Sequence, residues 1–164
     1  MSTSRKILIV EDRDDLLELL GEALNLLGWE TILAENGREA MNKLEHDLPS
    51  VVLLDIRTPV VNGIELAASL KAHPIYKNIP ILAVSGSAGG LTRERCLALG
   101  CDDFIAKPLA LGELERRLNN ILSMDWIFHA LRCPRDSMPY FSPTSYTPMG
   151  SLKTVLYLLN SIAV

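Results

Sequence analysis

Residues 51–55 read Val-Val-Leu-Leu-Asp, an unbroken apolar run closed by a single acid. Four consecutive aliphatic residues of this kind make a strand that is covered on both faces, as in a parallel sheet. A charged carboxylate ending such a strand is costly to bury, so it calls for a use. Working outward, residues 6–10 (Lys-Ile-Leu-Ile-Val) end the same way, on Glu11 and Asp12. Further short runs at 31–34, 81–85 and 103–106 bring the expected strands to five. Between the first two, Leu16, Leu17, Leu20, Ala23, Leu24 and Leu27 keep the i, i+3, i+4, i+7 spacing of a helix, and Gly28 stands where a left-handed C-terminal cap falls. The pattern predicts other helices over about 37–46, 63–72, 91–99 and 110–123, with Gly100 closing the fourth and Pro49, Pro74 and Pro80 in connections. Strands alternating with helices up to about residue 123 predict an α/β fold with a parallel, doubly wound sheet.

Composition narrows the function classes. The chain has 164 residues, 48% of them apolar, enough for one domain with a full core and an appendage. Its net charge of -4, without any Lys/Arg run, argues against direct nucleic-acid binding, which needs cations to neutralise phosphates. Cys96, Cys101 and Cys133 are odd in number and form no CxxC pair, which suits ordinary thiols in a reducing cytoplasm. No signal peptide or membrane span is expected. His46, His73 and His129 read as surface residues, and no GxxxxGK is present to bind a nucleotide.

In an open α/β sheet, ligands bind outside the carboxyl ends of the strands. Glu11 and Asp12 follow the first strand, Asp55 the third, Ser85 closes the fourth, and Lys107-Pro108 follows the fifth, so five polar groups converge on one edge. Two unit charges 4 Å apart repel by roughly 4 kcal/mol at an effective dielectric near 20, so the three acids need a positive partner. Mg²⁺, a hard ion that prefers oxygen ligands, and Lys107 fit that need. Flanked by both, Asp55 becomes a nucleophile toward phosphorus, because positioning and charge neutralisation are most of what phosphoryl transfer requires. Ser85 is placed to donate its hydroxyl to the transferred group. Any one of these positions alone reads more readily as a helix cap or turn residue, and the signal lies in their conjunction.

With these residues in view, positions 5 to about 123 resemble the receiver domain of two-component response regulators. The resemblance is carried by Ile7-Leu8-Ile9-Val10-Glu11-Asp12, by Leu53-Leu54-Asp55-Ile56-Arg57-Thr58-Pro59-Val60-Val61-Asn62-Gly63, by Ala83-Val84-Ser85-Gly86 and by the run Gly100 to Pro108. It implies a flavodoxin-like (βα)5 sheet of order 2-1-3-4-5 and phosphorylation of Asp55 by a sensor histidine kinase or histidine phosphotransfer protein. It further implies that Glu11, Asp12, Asp55 and the backbone carbonyl of Arg57 hold Mg²⁺. Lys107 would pair with the phosphoryl group, Ser85 and the Gly86 N–H would close on it, and Phe104 would be the switch aromatic. Signalling would run through contacts with a downstream protein or a second copy of the chain. Thr58, Asn62 and Gly86 depart from the commonest pattern without removing a reactive group, and they leave the lifetime of the phosphorylated state open. Two other readings are a pseudo-receiver that takes no phosphate and an aspartyl-nucleophile phosphatase. The phosphatase usually wants a second Asp two residues on as general acid, where this chain has Arg57. On the receiver reading the chain is not an enzyme beyond self-catalysed phosphotransfer and dephosphorylation.

Past residue 124 the composition changes. Four of the nine prolines and six of the nine aromatic residues fall in the last forty positions. Trp126, Phe128 and Leu131 could prolong the last helix, while Pro134, Pro139, Pro143 and Pro148 stop any long one. Residues 152–164 recover helical spacing at Leu152, Val155, Leu156, Leu159 and Ile162, too short a stretch for a membrane span of about 20 residues. That stripe would dock on the domain, meet a partner or second copy, or stay a tail.

Overall fold

The computed structural model describes residues 5–57, 63–86 and 93–123 in full, and the backbone of residues 124–132. Its elements are β1 (Lys6–Val10), α1 (Asp14–Leu26), β2 (Glu30–Ala34), α2 (Gly37–Leu44), β3 (Val51–Asp55), α3 (Gly63–Ala72), β4 (Ile81–Ser85), α4 (Arg93–Ala98), β5 (Asp103–Ala106) and α5 (Leu111–Arg132). The strands form one parallel sheet in the order β2-β1-β3-β4-β5, so the order reverses between β1 and β3.

Alternation of side chains along each strand splits the core in two. Ile7, Ile9, Leu53, Val84 and Ile105 face α1 and α5, packing with Leu20, Leu24, Leu114 and Leu118. Leu8, Val10, Leu54, Ile81 and Ala83 face the other layer, with Ala40, Leu66, Leu70 and Cys96. Both faces of β3 and β4 are buried along their whole length, which is why those strands read as unbroken apolar runs.

Gly28 and Gly100 both adopt positive φ, 84° and 95°. Each sits in a 6→1, 5→2 hydrogen-bond pair that closes a helix: Trp29 N–H to the Leu24 carbonyl with Gly28 N–H to Asn25, and Cys101 N–H to Cys96 with Gly100 N–H to Leu97. The free thiols of Cys96 and Cys101 are buried, and burial pushes Cys101 up to about 11, so both behave as small apolar residues. His46 is exposed, whereas His73 is half-buried, stacks on Tyr76 and accepts a bond from the Ile75 N–H.

The structure differs from the sequence expectation mainly at element ends. β2 begins one residue earlier than expected, and β3 includes Asp55 itself. α2 stops at Leu44 rather than 46. The helix expected to end near 123 continues to Arg132, the last described residue, since no proline or glycine interrupts 124–132. Thr58, Asn62, the start of the fourth helix at 91–92, and the expectations for Cys133 and 152–164 lie outside the described residues; the side chains of Trp126, Phe128, His129 and Leu131 do too. Among the described residues no helix is long and apolar enough to cross a membrane.

Candidate functional site

The carboxyl ends of β1 and β3 lie side by side where the strand order reverses, and the crevice there is where such sheets hold ligands. Glu11 follows β1 and is buried at 3% exposure; Asp55 ends β3 at 6%; Asp12, next to Glu11, is exposed. Ligand atoms of Glu11, Asp12 and Asp55 lie within 4.8 Å of one another. Lys107, in the turn after β5, reaches across 96 and 52 residues of sequence to bond both buried acids. Its Nζ donates to Glu11 Oε2 at 2.9 Å and to Asp55 Oδ2 at 2.6 Å.

Backbone groups hold the acids as well. The Arg57 N–H donates to Asp55 Oδ1 at 2.9 Å, and the Arg13 N–H approaches Glu11 Oε1 at 3.4 Å. The Lys107 N–H donates to the Ser85 carbonyl at 2.8 Å, which ties the turn carrying the lysine to the end of β4. Ser85 is buried and its hydroxyl donates to the Gly86 carbonyl at 3.3 Å. Phe104 on β5 is half-buried against the α2–α3–α4 side of the core. Gly63 opens α3 so close to β3 that a Cβ there would lie 2.6 Å from Ile56 Cα and 2.7 Å from the Asp55 carbonyl oxygen. Any larger residue would press on the backbone that carries the acid.

Charge is unbalanced at this edge. Among the described residues, Lys107 is the ammonium bonded to this trio of carboxylates, through Glu11 and Asp55. Burial, more than any other cause, pushes Glu11 up to about 7, and the nearby Asp55 charge adds to the rise against the pull of Lys107. Burial alone would lower Lys107, but its bonds to Asp55 and Glu11 outweigh that and hold it above its ordinary value. A tight trio of oxygen donors with excess negative charge fits a hard divalent cation such as Mg²⁺.

The structure therefore brings together Glu11, Asp12, Asp55 and Lys107, with Ser85, Gly86 and Arg57 on the flanking chain ends. Sequence reading did not find three features. Lys107 bridges Glu11 as well as Asp55, which no local spacing encodes. Gly63 is required by close approach, although its place at the start of a helical run was a usable signal. The third is Asp103, the first residue of β5, which is 9% exposed. Its Oδ1 accepts from Arg93 at 3.0 Å, Arg117 at 2.9 Å and the Phe104 N–H at 2.8 Å, and its Oδ2 from Arg117 at 2.8 Å. Burial would raise this carboxyl, but the arginines and the N–H together hold it below its ordinary value.

Comparison with known proteins identifies the family of the domain. The family profile described as response regulator receiver domain matches residues 7–119. The phosphate regulon transcriptional regulatory protein PhoB of Pseudomonas aeruginosa is 35% identical over 118 residues, 72% of this chain and 52% of that protein. The chain spans 63% or less of other curated relatives, about half in most. Among solved structures, the receiver domain of the sensor histidine kinase PA1611 from Pseudomonas aeruginosa, with a magnesium ion coordinated in its active-site cleft, has a TM-score of 0.67. It is 30% identical and covers 74% of this chain and 99% of that one. A CheY-like receiver domain protein from Methanospirillum hungatei has a TM-score of 0.67 at 28% identity, covering 74% and 96% of the two chains.

Proposed function

Because this chain belongs to the response regulator receiver family, we propose that it accepts a phosphoryl group on Asp55 from a histidine kinase or histidine phosphotransfer protein and signals through protein contacts. The observation that carries this reading is the pairing of Asp55 with Lys107 at 2.6 Å inside a trio of carboxylates at the strand-order reversal.

An Asp55 oxygen attacks phosphorus, and the P–N bond to the donor imidazole breaks with its electron pair left on the ring nitrogen. Arg57 N–H holds one Asp55 oxygen and so fixes the carboxylate plane. Lys107 follows the negative charge from the carboxylate to the phosphoryl oxygens, which needs only a short movement of its ammonium. Glu11, Asp12, Asp55 and the Arg57 carbonyl would hold Mg²⁺, which when bound offsets charge on the phosphoryl oxygens. Ser85 then turns its hydroxyl from the Gly86 carbonyl to the phosphoryl group, with the Gly86 N–H beside it. Phe104 fills the space that Ser85 vacates, so phosphorylation becomes a shift in population on the α4–β5–α5 side. The phosphatase alternative lacks its acid, since position 57 contributes only a backbone N–H to Asp55.

The test is intact-mass spectrometry after incubation with acetyl phosphate or phosphoramidate, with Mg²⁺ or with a chelator. The expected result is one added phosphoryl group on wild type in Mg²⁺, and none on Asp55→Asn. No addition to wild type would favour the pseudo-receiver.

A further inference from the structure

α5 carries two apolar lines set at different angles. Over residues 111–123 it buries Leu111, Leu114, Leu118 and Ile121 in the core layer on one face of the sheet. The helix then runs on without a break to Arg132, about 13 Å further. At about 100° per residue, the positions that continue the sheet-facing line are Asp125, His129 and Arg132, all polar. The apolar positions of the extension are Met124, Ile127, Phe128 and Leu131, spaced i, i+3, i+4, i+7 on a line turned by about 110°. Earlier in α5 that second line falls on Glu113, Arg117 and Asn120, so it begins only where the extension begins.

An apolar line turned away from the sheet needs another cover, since a helix in water draws most of its stability from packing an apolar face rather than from propensity. Residues 152–164, beyond the described part of the chain, repeat the same spacing. Leu152, Val155, Leu156 and Leu159 stand at i, i+3, i+4, i+7, and Ser151 occupies the N-cap position. As a helix that stretch is about 20 Å long, enough to lie along the whole extension. Residues 133–151 join the two lines, and the four prolines among them keep the joint from continuing either helix. A flexible joint of that length has an end-to-end distance of about 25 Å, ample for the turn of a helical hairpin. Tethering also holds the second line beside the first at a roughly millimolar effective concentration, against which a second copy of the chain competes only at its own concentration.

We propose that residues 152–164 fold back as a helix antiparallel to α5 and cover its extension, the stripe through Leu152 and Leu159 lying against the line from Met124 to Leu131. The occupant of this surface is thus a later segment of the same chain. α5 starts beyond the carboxyl end of β5 and runs back across the sheet, so the hairpin lies past the amino ends of the strands, away from Asp55. The contact is independent of whether Asp55 takes phosphate.

The test is hydrogen exchange of the full chain at two protein concentrations, with the mass in solution from light scattering, for wild type, Leu156→Asp/Leu159→Asp and Ser161→Asp. In wild type, amides 124–132 should be protected equally at both concentrations, at the mass of one chain. Leu156→Asp/Leu159→Asp should speed exchange of 124–132 by at least about tenfold, across the joint, while amides 51–55 of β3 exchange as in wild type. Position 161 lies on the opposite face of the second helix, so Ser161→Asp should leave 124–132 as protected as before. Unchanged exchange of 124–132 in Leu156→Asp/Leu159→Asp, or an equal loss in Ser161→Asp, would overturn the hairpin. Protection that rises with concentration together with a doubled mass would overturn it too, and would make a second copy the occupant.

Discussion

Two buried acidic centres lie within this one sheet, and they are built on opposite charge balances. At the ends of β1 and β3, three carboxylates gather, Lys107 is the ammonium bonded to the two buried ones among the described residues, and Glu11 is pushed up to about 7. At the start of β5, one carboxylate is shared by two guanidinium groups and a backbone N–H, and Asp103 is held below its ordinary value. Glu11, Asp55 and Asp103 are all buried, so burial alone does not separate the two centres. The balance does. A buried acid with its charge more than matched is a fastening between elements, here α4, β5 and α5. A cluster left with surplus negative charge is unfinished without a cation, and it is the one placed where the strand order reverses.

Substitutions can break that contrast. The largest effect expected is from Asp55→Asn: uptake of phosphate falls to nothing while the melting temperature stays the same or rises, because one of the crowded charges is gone. A marked fall in melting temperature would mean that Asp55 is a structural fastening after all. Next in size is the metal. Mg²⁺ at a hundredfold excess over its Kd should stabilise wild type by about 2.7 kcal/mol, from binding the folded state alone. Thermal melts with and without Mg²⁺ should show this rise and its loss in Asp12→Asn. Asp103→Asn should behave in the reverse sense. It should cost about 1–3 kcal/mol in urea unfolding, less than a fully buried pair because Arg93 is half exposed, and leave Asp55 able to take phosphate.

A smaller effect is the opposite response of the two centres to pH in the metal-free protein. A carboxyl raised by folding stabilises the protein below its ordinary value, near 4.5 for Glu11, and that contribution is lost as pH rises toward about 7. A carboxyl lowered by folding does the contrary: Asp103 stabilises the fold above the ordinary carboxylate range and loses that contribution as pH falls through its folded value. Stability against pH for Glu11→Gln should lack the first slope, and for Asp103→Asn the second. The smallest effect is expected at Gly86→Ala, since a Cβ there meets nothing within 4 Å; unfolding should be within about 0.5 kcal/mol of wild type.

Much of the acidic centre was legible because it is written at strand ends. Apolar runs mark β1, β3 and β4, and each polar residue that ends or follows one must lie at the same sheet edge. The helix caps were legible at Gly28 and Gly100, where only the left-handed region closes the turn without strain. The Asp103 centre was not legible. Its partners lie 10 residues before it and 14 after it, on two different helices, and only packing both helices on β5 brings them together. The same limit hid the bond between Lys107 and Glu11. The extension of α5 past 123 was legible only in part: Trp126, Phe128 and Leu131 allowed it, but the change in composition set the expected end, although no proline follows until Pro134.

The central claim is that the unbalanced centre exists to carry phosphate on Asp55. Borohydride trapping tests it at residue level, since reduction converts an aspartyl phosphate to homoserine, which peptide sequencing by mass spectrometry locates. After phosphoramidate and Mg²⁺, homoserine should appear at position 55 and nowhere else; homoserine at another acid, or at none, would contradict the account.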